Sequence, residues 1–408
     1  MSKKNIGVVT VWGERGAGYV SKQYVDSLLN SFNVYIYNRP FSKNDNSFWY
    51  TDYNVTNTTF YPLSVPTAIE KRHFLKWIRE KNIEILFFNE QHWLEPVFWA
   101  KEIGIICGSY IDYYTEDTIP FFKIYDFLIC NTKRHYSVFK WHPNVFYLPW
   151  GTNVELFRNN SNSLVSKDKV TFFHSAGVSP ERKGTLEALR AVLSVKEASL
   201  IIHSQIDLIN FSQEMKEAIN ELQSEERLTI INKTITAPGL YHLGDVYLYP
   251  SRLDGIGLTL IEALSCGLPV ITPDVPPMNE FGDDTCSKRV KAIEYTCRAD
   301  GYYWPLCRLD QQALNEAVNF FAQNNNNLTN YKIAAREYAL KFLDWKSNNN
   351  TLIEIFSNAK FSKNSLDSVS NYSEVIRERG NFDLRFYDKY PYFAHFYVKL
   401  KSLIKKKK

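Results

Sequence analysis

Several common features are missing from this chain, and each absence narrows the possible classes of protein. No stretch of its 408 residues is long and apolar enough to span a bilayer, and residues 1–4 lead into a strand pattern without an apolar leader. The six cysteines, at positions 107, 130, 266, 286, 297 and 307, include no Cys-x-x-Cys pair. We therefore expect a cytoplasmic protein with reduced cysteines and no zinc site.

Length and patterning predict two domains. The chain is 45% hydrophobic and 23% charged, and it exceeds the limit of about 250 to 300 residues for a single core. Strand patterns alternate with helical ones, which is typical of parallel sheets covered by helices. A polar run at 159–163 precedes a strand-like run at 170–173. We predict an α/β protein with domains at 1–157 and 158–358, and a C-terminal extension at 359–408.

The most informative segment is residues 250–270. An apolar run at 246–249 reads as a buried strand, and residues 259–266 form a helical pattern that ends before Gly267 and Pro269. The turn between them places backbone N–H groups at the positive end of a helix, where a diphosphate binds readily. Asp254 lies before the turn, and Glu262 lies about one turn inside the helix. The turn itself consists of Gly255, Ile256, Gly257 and Leu258.

This segment resembles the signature of family 4 glycosyltransferases of the GT-B class, in which two acidic residues separated by seven others flank a Gly-x-Gly-Leu turn. Here the first acid is Asp254 instead of Glu. The resemblance implies that Asp254 contacts hydroxyls of the donor sugar, that Glu262 holds the ribose, and that residues 255–258 line the donor site. A carboxylate suits either task, since it accepts hydrogen bonds from two adjacent hydroxyls.

A second segment, residues 172–184, resembles the loop with which that family grips the donor phosphates. Lys183 matches the family's lysine, whereas Val178 stands where the family has an arginine. We predict that Arg182 substitutes for that arginine. Cations at these positions would neutralise the charge that builds up on a departing nucleoside diphosphate.

The first domain carries a matching glycine loop. A strand is predicted at 6–11 and a helix at 20–29, and between them lie Gly16, Ala17 and Gly18. The glycines allow the backbone to approach a diphosphate or an acceptor closely, and Arg15 could add a charged contact. Further matches at 150–157, 273–281 and 334–345 follow in the family's order, and Trp345 is predicted to pack and not to catalyse.

Many relatives place a histidine near the donor sugar and the reaction centre, but this chain offers no clear equivalent. The candidates are His92, Tyr110 and Asp112. Tyr110 and Asp112 follow a predicted strand at 105–109, at the strand end where doubly wound sheets bind ligands. We prefer Asp112 as the catalytic residue, because a histidine beside a tryptophan is more often packed or capping.

The C-terminus differs from the rest of the chain. Residues 385–408 hold eight Lys or Arg and one Asp, a net charge of +7, so the remaining chain has 4 − 7 = −3. Aromatic and aliphatic residues interleave with these cations, as in a helix lying on an anionic membrane. We predict association with the inner face of the cytoplasmic membrane; a solvated terminus is the alternative. Nucleic-acid binding is disfavoured, because no recognition motif is present.

The resemblance implies a retaining glycosyltransferase with two Rossmann-like domains facing a cleft. It would move a sugar from a nucleoside diphosphate to a glycan or lipid-linked glycan, in polysaccharide or lipopolysaccharide biosynthesis. No Asp-x-Asp triplet of the metal-binding type is present, so we expect no obligatory metal and no cofactor besides the donor. The alternatives are an inactive GT-B-like glycan-binding or scaffold protein, and another GT-B enzyme such as an epimerase or phosphorylase.

Overall fold

The computed structural model describes residues 3–40, 52–58, 67–158, 169–209 and 211–367. They divide into two compact units. The first unit comprises the chain up to Asn131, His135–Leu148 and the described residues from Asn349 onward, and the second comprises Thr132–Arg134 and Pro149–Asn348. The contact-based units thus change at 148/149 and 348/349, whereas the sequence-based limits were 157/158 and 358/359.

The first unit is built on a seven-stranded parallel sheet with the order β3-β2-β1-β4-β5-β6-β7. Its strands are β1 (Asn5–Thr10), β2 (Asn33–Asn38), β3 (Val55–Asn57), β4 (Ile85–Phe88), β5 (Ile106–Tyr110), β6 (Phe127–Cys130) and β7 (Val145–Tyr147). Its helices are α1 (Gly16–Leu28), α2 (Lys71–Glu80), α3 (Glu95–Glu102), α4 (Lys133–Phe139), α10 (Asn349–Asn358) and α11 (Asn364–Asp367), of which α4 begins with residues that cluster with the second unit.

The second unit repeats the same winding in a six-stranded parallel sheet with the order β10-β9-β8-β11-β12-β13. Its strands are β8 (Val170–Gly177), β9 (Ala198–Ser204), β10 (Leu228–Asn232), β11 (Val246–Leu248), β12 (Val270–Pro273) and β13 (Ser287–Val290), followed by the antiparallel hairpin β14 (Ala292–Thr296) and β15 (Leu306–Leu309). Its helices are α5 (Thr185–Leu193), α6 (Gln213–Ser224), α7 (Leu258–Ser265), α8 (Gln311–Gln323) and α9 (Leu328–Phe342).

The central strands are apolar because helices cover both faces of such sheets. All residues of β4, β6, β11 and β12 are buried. In both sheets the first three strands run outward in the order 3-2-1, and the fourth lies on the other side of the first. This is the doubly wound order, and the point where it reverses is where such folds bind ligands.

The last described helices return to the first unit. The ring of Phe356 in α10 lies 5.2 Å from the rings of both Phe87 and Phe127, in the core of that unit. Beyond α10, Ser362 closes a fully buried ion pair between Lys101 and Asp126, whose Nζ and Oδ1 atoms are 2.6 Å apart. The start of the predicted C-terminal extension is therefore part of the fold.

Two sequence-based predictions fall partly or wholly outside the described residues: the polar linker at 159–163 and the basic aromatic tail at 385–408. Among the described residues, no helix combines the length and hydropathy required to cross a membrane. Trp345 is buried and packs against Trp150, with ring centroids 4.8 Å apart, as its predicted packing role requires.

Candidate functional site

The candidate donor site lies where the strand order of the second sheet reverses. The loop after β8 carries Arg182 and Lys183, and the loop after β11 carries Asp254. Because β8 and β11 are parallel neighbours, both loops leave the same edge of the sheet. The sequence-predicted residues of the two motifs are thereby brought together.

A buried histidine forms hydrogen bonds at the base of these two loops. His174, in β8, places Nδ1 2.9 Å from the carbonyl of Leu248 and Nε2 2.9 Å from the hydroxyl of Thr185, the first residue of α5. A carbonyl only accepts, so Nδ1 carries the proton and Nε2 accepts from Thr185. Burial lowers the pKa of His174 to about 4. The imidazole is therefore neutral at physiological pH and ties β8, β11 and α5 together.

The two loops also touch directly. Gly184 has a left-handed backbone (φ +70°), and a Cβ atom there would overlap the carbonyl oxygen of Pro250. The N–H of Arg252 donates to the carbonyl of Arg182 over 2.8 Å. Glycine is required at this close approach, which fixes Lys183 beside the β11 loop.

At this edge of the second sheet, the carboxylate of Asp254 accepts hydrogen bonds from the nearby donors. Oδ2 of Asp254 accepts from the Lys183 ammonium and, over 2.5 Å, from the Tyr249 hydroxyl, and it lies 3.6 Å from Nη1 of Arg182. Oδ1 of Asp254 accepts from the N–H of Gly255 over 3.0 Å. The side chains of Lys183 and Asp254 are only 13% and 16% exposed, so their pairing is weakly screened.

These contacts fix the ionisation of the pair. Burial alone would raise the pKa of Asp254, but the charges of Lys183 and then Arg182 hold that pKa well below its ordinary value. Burial lowers the pKa of Lys183, and the Asp254 carboxylate opposes that shift. At neutral pH Asp254 is thus an anion surrounded by two cations and a phenol.

Glu262 sits one turn inside α7 and has a different environment. Its Oε2 accepts from the hydroxyl of Tyr241 over 2.5 Å. Burial raises the pKa of Glu262 to about 7, despite the hydrogen bond from Tyr241 and the charge of Lys183. Glu262 is therefore partly protonated near neutrality, in contrast to Asp254.

The turn that opens α7 has the predicted form. Gly257 is the N-cap residue in a left-handed conformation (φ +94°), and Leu258 is the first helical residue. No side chain caps this helix start, so its first backbone N–H groups remain available to an anion. Ile256 is buried, and Val178, which occupies the family's arginine position, is 64% exposed.

The glycine segment of the first unit differs from its predicted form. Gly16, Ala17 and Gly18 are the first turn of α1 and not a loop before a helix at 20–29. The N-cap residue of this helix is Arg15, which has an extended backbone (φ −149°). The segment still follows β1 at the edge where that sheet's order reverses.

Asp112 lies at the same edge of the first sheet, after β5. Burial raises its pKa well above the usual value, and the charge of Glu90, which follows β4, adds to the shift, while Arg39 opposes it. Arg39 is buried and donates from Nη2 to the carbonyls of Asn89 and Glu90 over 3.0 and 3.1 Å. Arg15 and Glu90 form an ion pair of 3.8 Å.

The other two candidates at this edge, Tyr110 and His92, contact aromatic side chains of the first unit. Tyr110 is buried in the core beside Tyr24. His92 stacks on Tyr113, with ring centroids 4.3 Å apart. The backbone N–H of His92 donates over 3.0 Å to the hydroxyl of Thr67, in agreement with the packed role expected for this histidine.

Thr67 organises the loop after β4. Its hydroxyl accepts from the N–H groups of His92 and Trp93 and from Nε2 of Gln91, over 3.0 to 3.2 Å. Its backbone is left-handed (φ +67°), which is strained for a β-branched residue. In the described part of the chain, four buried polar atoms near this loop have no hydrogen-bond partner: Arg39 Nε, Asn89 Oδ1, Gln91 Oε1 and Trp93 Nε1.

Sequence reasoning missed Tyr249, Tyr241, His174 and the group around Thr67 and Arg39. Tyr249 could have been found, because it lies five residues before Asp254 at the end of the same strand segment. His174 lies within the predicted phosphate segment itself, whereas Tyr241 reaches Glu262 from 21 positions earlier in the chain. Thr67 and Arg39 belong to the first unit. Among the described residues, no group of three or more His, Cys, Asp or Glu side chains is placed to hold a metal ion.

Solved structures of other proteins have the same architecture as this chain. A solved glycosyltransferase from Rickettsia africae ESF-5 superposes with a TM-score of 0.67 at 14% identity, over 88% of this chain and 100% of that one. Anabaena Alr3699/HepE, solved in complex with UDP and glucose, superposes with a TM-score of 0.66 at 14% identity, over 86% and 99% of the two chains. The predicted fold class is confirmed: the chain has the fold of GT-B glycosyltransferases.

Sequence matches cover a smaller part of the chain. Residues 168–293 match the model of the glycosyl transferases group 1 family. The lipopolysaccharide core biosynthesis mannosyltransferase LpsB of Rhizobium meliloti (strain 1021) is 31% identical over 71 residues, which are 17% of this chain and 20% of LpsB. The match thus spans about a fifth of this curated relative. The predicted resemblance to group 1 glycosyltransferases of bacterial surface polysaccharide type is confirmed, and the comparisons agree with the predicted enzyme class.

Proposed function

We propose that this chain is a retaining glycosyltransferase. It would transfer a sugar from a nucleoside diphosphate to a glycan or lipid-linked glycan acceptor in bacterial polysaccharide or lipopolysaccharide biosynthesis. The observation that carries the proposal is the cluster of Lys183, Arg182 and Asp254 beside the uncapped start of α7, with Glu262 one turn further along. Two cations and free backbone N–H groups form an environment for a diphosphate.

Each residue has a task in this proposal. Lys183 and Arg182 hold the diphosphate and stabilise the charge that develops on it as the bond to the sugar breaks. The turn from Gly255 to Leu258 lies close to the donor, and Glu262 accepts hydrogen bonds from the ribose. Asp254 belongs to the sugar side of the site.

In the first unit, Asp112 is the proposed catalytic residue at the acceptor side. Burial raises its pKa above the ordinary value, which makes the ionised carboxylate a stronger base. Gly16, Ala17 and Gly18 would let the backbone approach the substrates closely. Retention follows from the family resemblance, in which the leaving phosphate helps to deprotonate the acceptor hydroxyl on the same face.

The surroundings of the enzyme are also part of the proposal. The reaction would take place at the cytoplasmic side of the membrane, with the basic tail on anionic lipid, without an obligatory metal and without nucleic acid. The structural neighbour that binds UDP and glucose supports a nucleotide-sugar donor. A second candidate, an inactive GT-B-like binding protein, is favoured by one observation: the family's arginine position holds an exposed valine, Val178.

Thermal unfolding with UDP, GDP, ADP and dTDP, with and without EDTA, tests the donor site. A ligand at about 100 times its Kd adds roughly 2.7 kcal/mol of stability. We expect one nucleotide to raise the Tm clearly and EDTA to leave that shift unchanged. If no nucleotide shifts the Tm, the proposed donor site is contradicted. If a nucleotide binds but no sugar is transferred, the inactive binding protein is favoured.

A further inference from the structure

Most of the acceptor capacity of the Asp254 carboxylate is occupied within the second unit. An ionised carboxylate offers about four acceptor positions. Here Oδ2 serves Lys183 and Tyr249 and faces Arg182, and Oδ1 serves the N–H of Gly255. One acceptor position on Oδ1 remains, so two adjacent hydroxyls of a sugar could bind this carboxylate only if at least one of these donors left it.

The same limitation applies to the cations. Nη1 of Arg182 donates to the carbonyl of Leu253 over 2.7 Å and faces Asp254. Among the described residues, Nζ of Lys183 donates to two acceptors that follow β11: the carboxylate of Asp254 and the hydroxyl of Tyr249. A diphosphate that takes these cations must therefore compete with Asp254 for them.

We propose that Asp254 is an internal counter-ion of the donor site. Its carboxylate holds Lys183 and Arg182 in the donor-free protein, yields them to the arriving diphosphate, and is thereby freed to accept hydrogen bonds from the donor sugar. This inference rests on the proposed function, because it assumes that the two cations bind the donor diphosphate.

The chemistry of the side chains supports such an exchange. Asp is one methylene shorter than the family's Glu, so its carboxylate has less reach to stay on Lys183 while also binding a sugar. The exchange replaces one anion by another around the same cations, so both cations stay paired, and hydrogen bonds from sugar hydroxyls take their place on the Asp254 carboxylate. Once the sugar has been transferred, the carboxylate competes again for Lys183 and Arg182 and promotes release of the nucleoside diphosphate.

Calorimetric titration of the full chain can test this exchange. The probes are UDP, GDP, ADP and dTDP, each paired with its glucose derivative, and the variants are Asp254→Asn and the control Asp284→Asn. Asp284 also carries a carboxylate in the second unit, but its side chain is 99% exposed. The control thus removes one negative charge without touching the site.

We expect opposite effects on the two kinds of ligand. Asp254→Asn removes the competitor, so the free nucleoside diphosphate binds about fivefold more tightly, the scale of a modest ion pair. The factor by which the glucose derivative exceeds the diphosphate in affinity falls about tenfold, because hydrogen bonds to a charged acceptor are lost. Asp284→Asn changes neither value.

Tyr249→Phe is a second variant that keeps the Asp254 charge. It removes the phenol that donates to Oδ2, which loosens the hold of Asp254 on the cations, and it should tighten diphosphate binding about twofold. This variant decides the question if Asp254→Asn fails to fold.

The remaining outcomes overturn the inference in distinguishable ways. Weaker or unchanged binding of the diphosphate by Asp254→Asn refutes the counter-ion role while leaving the donor site intact. Loss of affinity for the glucose derivative alone would make Asp254 a plain sugar ligand. If the unaltered chain binds none of the four diphosphates, the proposed function fails and this inference fails with it.

Discussion

The two sheets of this protein have the same winding, yet the edges at which their strand order reverses are built in opposite ways. At the second edge, Lys183, Arg182 and Asp254 satisfy one another within two short loops. At the first edge, the buried polar atoms around Arg39 and Gln91 include four without a hydrogen-bond partner in the described residues. The charged side chains of the second edge thus compensate one another, whereas these buried polar atoms of the first edge are uncompensated.

The difference shows that a shared fold does not dictate a shared strategy for a binding edge. A compensated edge costs little in the free protein but must exchange partners when a ligand arrives. An uncompensated edge carries about 1 to 3 kcal/mol for each buried orphan group, and a strained residue such as Thr67 adds to that cost. Variants at each edge should therefore have different consequences.

The largest expected effect is on transfer at the compensated edge. Lys183→Ala removes the cation that the proposed mechanism places on the diphosphate, and we expect transfer to fall by about 100-fold or more. Radiolabelled sugar transfer measures the loss, and circular dichroism checks the fold. Lys196→Ala, at an exposed position between α5 and β9, is the matched control. Equal activity of both variants would remove Lys183 from the site.

The next effect is on stability at the uncompensated edge. Thr67→Ala deletes the hydroxyl that accepts from the N–H groups of His92 and Trp93 and from Gln91. We expect the free energy of unfolding in urea to fall by about 1 to 3 kcal/mol. The control is Thr58→Ala, which removes a hydroxyl that donates a hydrogen bond to the carbonyl of Asn38. A loss no greater than that of the control would argue against this role of Thr67.

The smallest effect concerns the pH dependence of stability. Burial raises the pKa of Glu262 from its ordinary value of 4.5 to about 7 in the folded protein, so the folded state binds the proton more tightly. Its contribution is fully present below about pH 4.5 and is lost as the pH rises through 7. Relative to Glu262→Gln, the unaltered chain should lose stability over this window.

Thermal unfolding from pH 4.5 to 8 measures this difference. Glu214→Gln serves as the control, since that carboxylate is 65% exposed on α6. A constant difference in Tm between the unaltered chain and Glu262→Gln across the window would show that folding does not raise the pKa of Glu262.

The contrast between the edges also explains what the sequence could predict. Asp254 and Glu262 share one contiguous motif and Lys183 lies in another, so each motif could be recognised locally, while the parallel pairing of β8 and β11 brings the two motifs together. The fold class was predictable for the same reason, because the alternation of strands and helices is a local pattern. The start of α1 at Gly16 was missed because glycines have low helix propensity.

The uncompensated edge could not be predicted in this way. The residues of this edge lie beside different elements: Arg39, Thr67 and Gln91. No local sequence pattern predicts a threonine with a left-handed backbone. The return of α10 to the first unit was equally hidden, because Phe356 finds its partners more than 200 residues earlier in the chain. Such contacts depend on tertiary packing alone.

That return has a consequence for biosynthesis. Residues 149–348 form most of the second unit in one uninterrupted stretch, whereas the first unit requires Phe356 for its core and Ser362 to close the Lys101–Asp126 pair. A ribosome makes the first unit's sheet first but delivers its last pieces only after the whole second unit has emerged. The unit that begins the chain is thus the last to be completed, and a nascent chain stalled before residue 349 would hold a finished second unit and an unfinished first one.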